Sequence, residues 1–150
     1  MNSKAVVDEF LSQRTLAVVG ASRNPRKFGN AVLRELNAKG YKVFPVNPNA
    51  REVLGSKCYP TLKDLPERVG GIVVVVPPAE TERVVREAKD AGISRVWMQQ
   101  GAESDTAITF CRQNGMQEVH GECILMFAPE AAFFHRAHRF VKGFFGRLPH

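Results

Sequence analysis

Cysteine is scarce in this chain, and the three cysteines that occur are arranged in a way that excludes a disulfide scaffold. Cys58, Cys111 and Cys123 are odd in number, lie far apart and form no Cys-x-x-Cys pair. Small secreted domains that depend on disulfides carry a denser set of cysteines. The sequence therefore favours a reducing compartment, and we expect a cytoplasmic protein.

Long hydrophobic runs are also missing. The strongest apolar run covers residues 72–76 and is stopped by Pro77, so it is far shorter than the roughly 20 residues that a membrane-spanning helix needs. Asp8, Glu9 and Arg14 interrupt the apolar residues near the N-terminus, which does not fit a signal peptide. We expect a soluble protein with no integral membrane segment.

Acidic residues are nearly absent from one stretch of the chain, so much of the net charge of +6 is concentrated there. Glu35 is the only acidic residue within positions 23–42. The same stretch holds six basic residues, which leave it with a charge of +5: Arg23, Arg26, Lys27, Arg34, Lys39 and Lys42. Charge affects partners where it is concentrated, so the cluster indicates an anionic ligand.

Short apolar strands alternate with helical stretches along most of the chain. The predicted strands cover residues 16–20, 42–46, 71–76, 95–98 and 117–120, and the predicted helices cover about 31–39, 78–91 and 105–114. The strand at 71–76 is too uniformly apolar to face water on either side, as in parallel sheets covered by helices on both faces. The pattern predicts an α/β fold, a Rossmann-like doubly wound sheet of about five parallel strands, in the order third, second, first, fourth, fifth.

The 150 residues, of which 44% are hydrophobic, fit one domain with a core over about 12–127 and an extension over 128–150. The extension interleaves aromatic with basic residues, which predicts an amphipathic C-terminal helix: Phe133, Phe134, Arg136, Arg139, Phe140, Lys142, Phe144, Phe145 and Arg147. We interpret it as a helix packed on the sheet or on a second subunit, as in a homodimer. Attachment to an anionic membrane surface or to nucleic acid is the alternative. Nucleic acid is not expected at the basic cluster, because no aromatic stacking platform accompanies it.

The loop after the first strand is the strongest candidate for ligand binding. Gly20 permits a tight turn, and the start of the next helix can offer backbone N–H groups to phosphate oxygens. Ala21 and Ser22 continue the turn, and Arg23 and Lys27 add positive charge to it. A plain structural turn between strand and helix is the alternative interpretation.

A nicotinamide dinucleotide is disfavoured by two further absences. Ser22 and Pro25 stand where the fingerprint Gly-x-Gly-x-x-Gly has its second and third glycines. At the end of the second strand, Asn47 followed by Pro48 replaces the acidic residue that binds the ribose of NAD. An amide tolerates a nearby phosphate, whereas a carboxylate repels one, so the sequence favours a nucleotide with a ribose phosphate; a simple Asn-Pro turn is the alternative.

Two more loops follow strands on the same predicted edge. Val76 and Pro77 form a rigid apolar segment suited to packing against an adenine or a pantetheine arm. Gln100 and Gly101 precede the N-terminus of the next helix. Neither loop is specific by itself.

Taken together, these loops resemble the CoA-binding domain of the succinyl-CoA synthetase α-subunit, and still more the small stand-alone CoA-binding proteins. The matching stretches lie within about residues 12–127: Val19 to Pro25 with Lys27, Gly40 to Pro48, Val76 to Pro78, and Val96 to Gly101. The resemblance implies that coenzyme A or an acyl-CoA is the ligand. It also implies roles for the loop residues: Gly20, Ser22 and Lys27 at phosphates, Asn47, Pro48, Val76 and Pro77 at the adenosine end, and Gln100 and Gly101 near the pantetheine.

The resemblance does not extend to catalysis. The synthetase carries its phosphorylated histidine in a second domain, for which this chain has no room, so we expect a non-catalytic carrier, sensor or regulatory module. The alternatives are an NAD(P)-binding reductase and a CoA-binding subunit of a multi-chain acyl-CoA ligase. His120, Cys123, His135 and His138 raise the question of a metal site, but their spacing matches no zinc pattern, and no metal ligand or catalytic residue is predicted.

Overall fold

The computed structural model describes residues 2–22, 24 and 26–128. The helices are α1 (Lys4–Leu11), α2 (Phe28–Ala38), α3 (Pro78–Asp90) and α4 (Asp105–Gln113). The strands are β1 (Thr15–Val19), β2 (Lys42–Val46), β3 (Glu52–Val53), β4 (Ser56–Lys57), β5 (Gly71–Val74), β6 (Arg95–Gln99) and β7 (Gln117–Glu122). Two short 3₁₀ turns cover Leu62–Asp64 and Ile124–Met126. The predicted C-terminal helix lies outside the described residues.

Five strands form a wholly parallel sheet in the order β2-β1-β5-β6-β7, which confirms the Rossmann-like α/β fold class. The predicted order is wrong, because the third long strand, β5, pairs with β1 and not with β2. The physical reason is burial: all four residues of β5 are buried, and such a strand belongs in the middle of a sheet. Strand β2 suits an edge, since it begins with exposed Lys42 and contains Pro45, which has no N–H to donate.

The sheet is covered on both faces, and each face has its own apolar core. On one face, helices α1 and α2 pack over Leu16, Val18 and Trp97, all fully buried. On the other, helices α3 and α4 pack over Ile72 and the strand residues beside it. Trp97 was predicted to be a core residue, and its indole N–H donates to the carbonyl oxygen of Glu122 at 3.0 Å. This bond ties the middle of β6 to the end of β7.

Sequence reasoning missed helix α1 and the hairpin formed by β3 and β4. Ser3 caps α1 by accepting a hydrogen bond from the Val6 N–H at 3.1 Å, and Phe10 then packs edge-on against Trp97. Helix α1 is only 8 residues long, and the hairpin strands have two residues each, so neither gives a clear periodic signal. The predicted cap of α4 is confirmed, since the Ser104 hydroxyl accepts from the Ala107 N–H at 3.1 Å.

The three cysteines are free thiols, as the sequence predicted. Burial raises the pKa of the Cys111 thiol to about 12, and burial also raises the pKa of Cys58. Both thiols therefore stay protonated near neutral pH. None of the helices among the residues that the structure describes is long and apolar enough to cross a membrane.

Candidate functional site

The candidate site lies at the carboxyl edge of the sheet, where the loops after β1, β2, β5 and β6 meet. In an open parallel sheet this edge faces the crevice in which ligands bind. The order of the strands puts the switch point between β1 and β5, whose following segments contain Gly20 and Val76. The four loops predicted from the sequence therefore do share one edge.

Gly20 makes the turn after β1 possible for two reasons. Its φ of +119° belongs to the region that favours glycine, and a Cβ at this position would overlap the carbonyl oxygen of Val75. Its N–H donates to the carbonyl oxygen of Val46 at 3.3 Å, while the N–H of Val75 donates to Val19 at 2.8 Å. The turn is thus fixed between the ends of β2 and β5.

Helix α2 begins directly against this turn. A Cβ at Gly29 would overlap the carbonyl oxygen of Gly20, so the two glycines let the helix and the turn approach closely. The sequence alone did not show that Gly29 contacts Gly20. Close contact between the strand turn and the helix N-terminus is what a phosphate-binding loop requires.

Asn30 holds the shape of the turn, and it is the most important residue that sequence reasoning missed. Its side chain is 1% exposed, and its Oδ1 accepts from the Ser22 N–H at 2.8 Å. Its Nδ2 donates to the carbonyl oxygens of Ser22 at 2.6 Å and Asn24 at 3.2 Å. The signal was available: Asn30 stands three residues before buried Leu33, where a buried helix face ordinarily carries an apolar residue.

The predicted positive charge lies on the exposed side of the same turn. Lys27 is exposed at the N-cap position of α2, Arg26 beside it is exposed, and no acidic residue occupies the first turn of the helix. Arg23, also predicted to bind, lies outside the described residues. The start of α2 therefore combines the partial positive charge of a helix N-terminus with a nearby ammonium group, which suits an oxyanion.

Asn47 links the second loop to the first. Its Nδ2 donates to the carbonyl oxygen of Ala21 at 2.6 Å, and its Oδ1 accepts from the Asn49 N–H at 2.7 Å. Both side-chain groups are thus engaged within the protein. Ala21 is fully buried and accepts from Asn47, so it belongs to the frame of the site and offers no side chain to a ligand.

A cavity of about 480 Å³ opens beside Pro48, between the second loop and the β3–β4 hairpin. Arg51 and Lys57 line it, together with Cys58. Both cationic side chains belong to exposed residues, and sequence reasoning did not select them. They lie outside the basic stretch at 23–42, and the hairpin brings Lys57 next to Pro48 and Arg51.

The third and fourth loops are joined by a buried hydroxyl. Thr81 is fully buried in the first turn of α3, and its Oγ1 donates to the carbonyl oxygen of Ala102 at 2.6 Å. Val76 is half-buried and Pro77 is exposed at the start of α3. Gln100 and Gly101 are exposed, and the space around Gly101 is open. The bond from Thr81 thus keeps these predicted contacts on adjacent loops.

Gln99, which precedes the predicted site residue Gln100, has a defined structural role at this edge. Its side chain is 1% exposed; its Oε1 accepts from the Ile124 N–H at 2.6 Å, and its Nε2 lies 3.4 Å from the Cys123 sulfur.

His120 lies on β7, where its Nδ1 is 2.7 Å from a carboxylate oxygen of Glu118. Among the described residues no group of three or more metal-ligating side chains comes together, and His135 and His138 lie outside them.

Comparison with known proteins identifies the kind of domain. A family model described as a CoA binding domain matches residues 14–129. The alpha subunit of an ADP-forming acetate–CoA ligase II from Pyrococcus furiosus is 36% identical over 92 residues, which cover 61% of this chain and 20% of that subunit. The uncharacterized protein YneT of Bacillus subtilis is 28% identical over 123 residues, covering 81% of this chain and 91% of that protein. The matched region thus spans about a fifth of the ligase subunit.

A solved structure shares the fold of this chain. A conserved hypothetical protein from Pyrococcus furiosus superposes with a TM-score of 0.72 at 45% sequence identity, covering 75% of this chain and 97% of that chain. The resemblance inferred from the loop motifs is therefore confirmed. The binding roles predicted for the individual loop residues stay predictions.

The network around Asn30 gives a first test. We expect Asn30→Ala to lower the free energy of unfolding by about 1–3 kcal/mol, because it leaves the backbone groups of Ser22 and Asn24 without their partners. Urea denaturation measures this loss, and amide hydrogen exchange should show faster exchange at Ser22. Asn37→Ala, at an exposed position of the same helix, is the matched control and should change stability by less than about 0.5 kcal/mol. Equal stability of the two variants would contradict the role given to Asn30.

Proposed function

Since this chain belongs to the family of CoA-binding domains, we propose that it binds coenzyme A or an acyl-CoA at the carboxyl edge of its sheet, as a non-catalytic carrier, sensor or regulatory module. One observation carries the proposal: the turn after β1 is held by Asn30 against the start of α2, with Lys27 exposed beside it. Backbone N–H groups at a helix start are good partners for the pyrophosphate of a nucleotide.

The second loop supports coenzyme A over a nicotinamide dinucleotide. Asn47 stands at the end of β2, and its amide is engaged with Ala21 and Asn49. NAD sites ordinarily have a carboxylate at this position, which binds the hydroxyls of an unphosphorylated ribose, and Asn47 has none. Coenzyme A carries a phosphate on its adenosine ribose, and we assign this phosphate to the cavity beside Pro48, where Arg51 and Lys57 provide two cations.

We propose no reaction for this chain, because the region that matches the acetate–CoA ligase subunit is only a small part of that subunit. The matched region corresponds to about a fifth of the acetate–CoA ligase subunit, so ligase chemistry would need groups that lie outside this region. A second candidate function is therefore a CoA-binding subunit of a multi-chain acyl-CoA ligase, and the similarity to a protein named as an alpha subunit favours it. Co-purification with a larger, ATP-using chain would select this candidate over a free-standing module.

Ligand-dependent stability tests the proposed ligand. At a concentration of about 100 times its Kd, coenzyme A should stabilise the protein by about 2.7 kcal/mol, a rise in Tm of about 5–10 °C, because it binds only the folded state. NAD and NADP at the same concentration should leave Tm unchanged. Isothermal calorimetry then gives the Kd of each ligand. Saturable heat with NAD but none with coenzyme A or acetyl-CoA would overturn the proposal in favour of a reductase.

A charge reversal at the start of α2 tests where the phosphates bind. Lys27→Glu should weaken coenzyme A binding at least about tenfold, because it removes a cation and adds an anion beside the phosphate site. Lys89→Glu makes the same change in net charge at an exposed position near the carboxyl end of α3 and should leave the Kd unchanged. Calorimetry on both variants separates a local contact from a general effect of charge. Equal affinities would remove Lys27 from the site.

The cavity beside Pro48 has a test of its own. Arg51→Gln should weaken binding of coenzyme A by about tenfold and leave binding of 3′-dephospho-coenzyme A nearly unchanged, because only the former carries the ribose phosphate. The comparison of the two ligands on one variant also controls for any change in folding. If both ligands lose affinity by the same factor, Arg51 does not contact that phosphate.

A further inference from the structure

Strand β7 forms one edge of the five-stranded sheet, and β6 is its one neighbouring strand in the part of the chain that the structure describes. The N–H of Gln117 donates to the carbonyl oxygen of Ser94 at 2.8 Å, so the backbone groups of residues 117 and 119 face β6. Backbone groups alternate along a strand, and those of Glu118 and His120 therefore point outwards. A row of such groups can pair with another strand.

The side chain of Asn2 lies on this outer edge. Its Nδ2 donates to the carbonyl oxygen of His120 at 2.8 Å, and its Oδ1 accepts from the His120 N–H at 3.0 Å. A side-chain amide offers a donor and an acceptor, as the backbone of a neighbouring strand does. Asn2 thus takes the place that a residue of a further strand would have opposite His120.

We propose that the outer edge of β7 is a pairing site for β7 of a second copy of this chain, and that Asn2 keeps this site closed. A twofold axis at Val119 puts Glu118 of each copy opposite His120 of the other in an antiparallel pair. Both residues turn their backbone groups outwards, so each such pair exchanges two hydrogen bonds. All four bonds then use the N–H or the C=O of a His120, and these are the groups that Asn2 binds.

The charges on β7 favour this register over the adjacent one. With the axis at Val119, the carboxylate of Glu118 lies on the same face as the imidazole of His120 in the other copy. With the axis at His120, Glu118 lies opposite Glu122, and like charges that are directly opposite destabilise a strand pair. Gly121, whose φ is +77°, ends the regular extended backbone after His120. The pairing is therefore short, and one side chain is enough to prevent it.

The other edge of the sheet is a poorer site for a second copy. Pro45 in β2 has no N–H, and its carbonyl oxygen already accepts from the Tyr59 N–H at 3.0 Å. The N–H of Asn47 donates to the carbonyl oxygen of Tyr59 at 2.9 Å, so the chain itself covers the carboxyl half of this edge. Strand β7 is thus the edge at which one side-chain amide controls access.

The inference does not rest on the proposed binding of coenzyme A. The loops assigned to coenzyme A follow β1, β2, β5 and β6, whereas the pairing site is the outer edge of β7. The test below uses the protein without coenzyme A, so a failure of the ligand to bind leaves this inference unchanged.

Asn2→Ala tests the inference, because it removes the amide that closes the edge. Sedimentation velocity over a series of protein concentrations should give a dimer Kd at least about tenfold lower than that of the unaltered protein. Ser3→Ala is the matched control, since it removes the hydroxyl that accepts from the Val6 N–H at 3.1 Å but keeps the amide of Asn2. Its association should equal that of the unaltered protein. Association through any other part of the chain is common to all three proteins.

Amide hydrogen exchange then locates the contact. In dilute solution, the His120 N–H should exchange at least about tenfold faster in Asn2→Ala than in the unaltered protein, because its acceptor has been removed. At high concentration the amides of Glu118 and His120 should become protected together.

The inference is overturned by any of three results. One is that Asn2→Ala associates no more tightly than the unaltered protein. Another is that Ser3→Ala associates as tightly as Asn2→Ala, which would indicate a general effect of loosening the start of α1. The last is association without protection at Glu118 and His120, which would place the contact elsewhere on the molecule.

Discussion

The cleft at the carboxyl edge of the sheet depends on one crowded crossing, where the turn after β1 passes the end of β5 and the start of α2. There is no room at this crossing for a side chain on Gly20 or Gly29. A Cβ at Gly20 would meet the carbonyl oxygen of Val75, and a Cβ at Gly29 would meet the carbonyl oxygen of Gly20. The strand end, the turn and the helix start are therefore packed backbone against backbone. This close packing leaves the N–H groups at the start of α2 next to the turn, where a phosphate can be held without any catalytic side chain.

The remaining loops are attached to this crossing or to one another by polar side chains, of which Thr81 and Gln99 are buried and Asn47 is partly buried. Asn47 fastens the loop after β2 to Ala21, and Thr81 fastens the start of α3 to Ala102. Gln99 fastens the end of β6 to Ile124 at the end of β7. Each bond joins segments that are adjacent in the sheet but distant in sequence, so the five strand ends form one connected surface. Satisfied polar bonds of this kind are costly to break, which makes the surface a rigid template.

The sequence predicted the strands of the five-stranded sheet, the three longer helices and the four loops, because strand and helix periods and glycine positions are local signals. It failed on the order of the strands, although Pro45 in β2 and the wholly buried β5 already favoured the observed arrangement. It also missed what depends on tertiary contact. The three bonds from Asn30 to the turn are seen only in the structure, although its place three residues before Leu33 was a signal, and Lys57 adjoins Pro48 only because the hairpin folds back.

Burial keeps the phenol and two of the thiols of this protein in their protonated forms. Catalytic centres are where burial and charge shift a pKa toward the reactive form. Here burial raises the pKa of Tyr41, whose hydroxyl donates to the carbonyl of Leu11 in the core, and of Cys111 under α4. Cys58 lines the cavity beside Pro48, and its pKa is raised by the same cause, so its thiol is kept protonated, the opposite of an activated nucleophile.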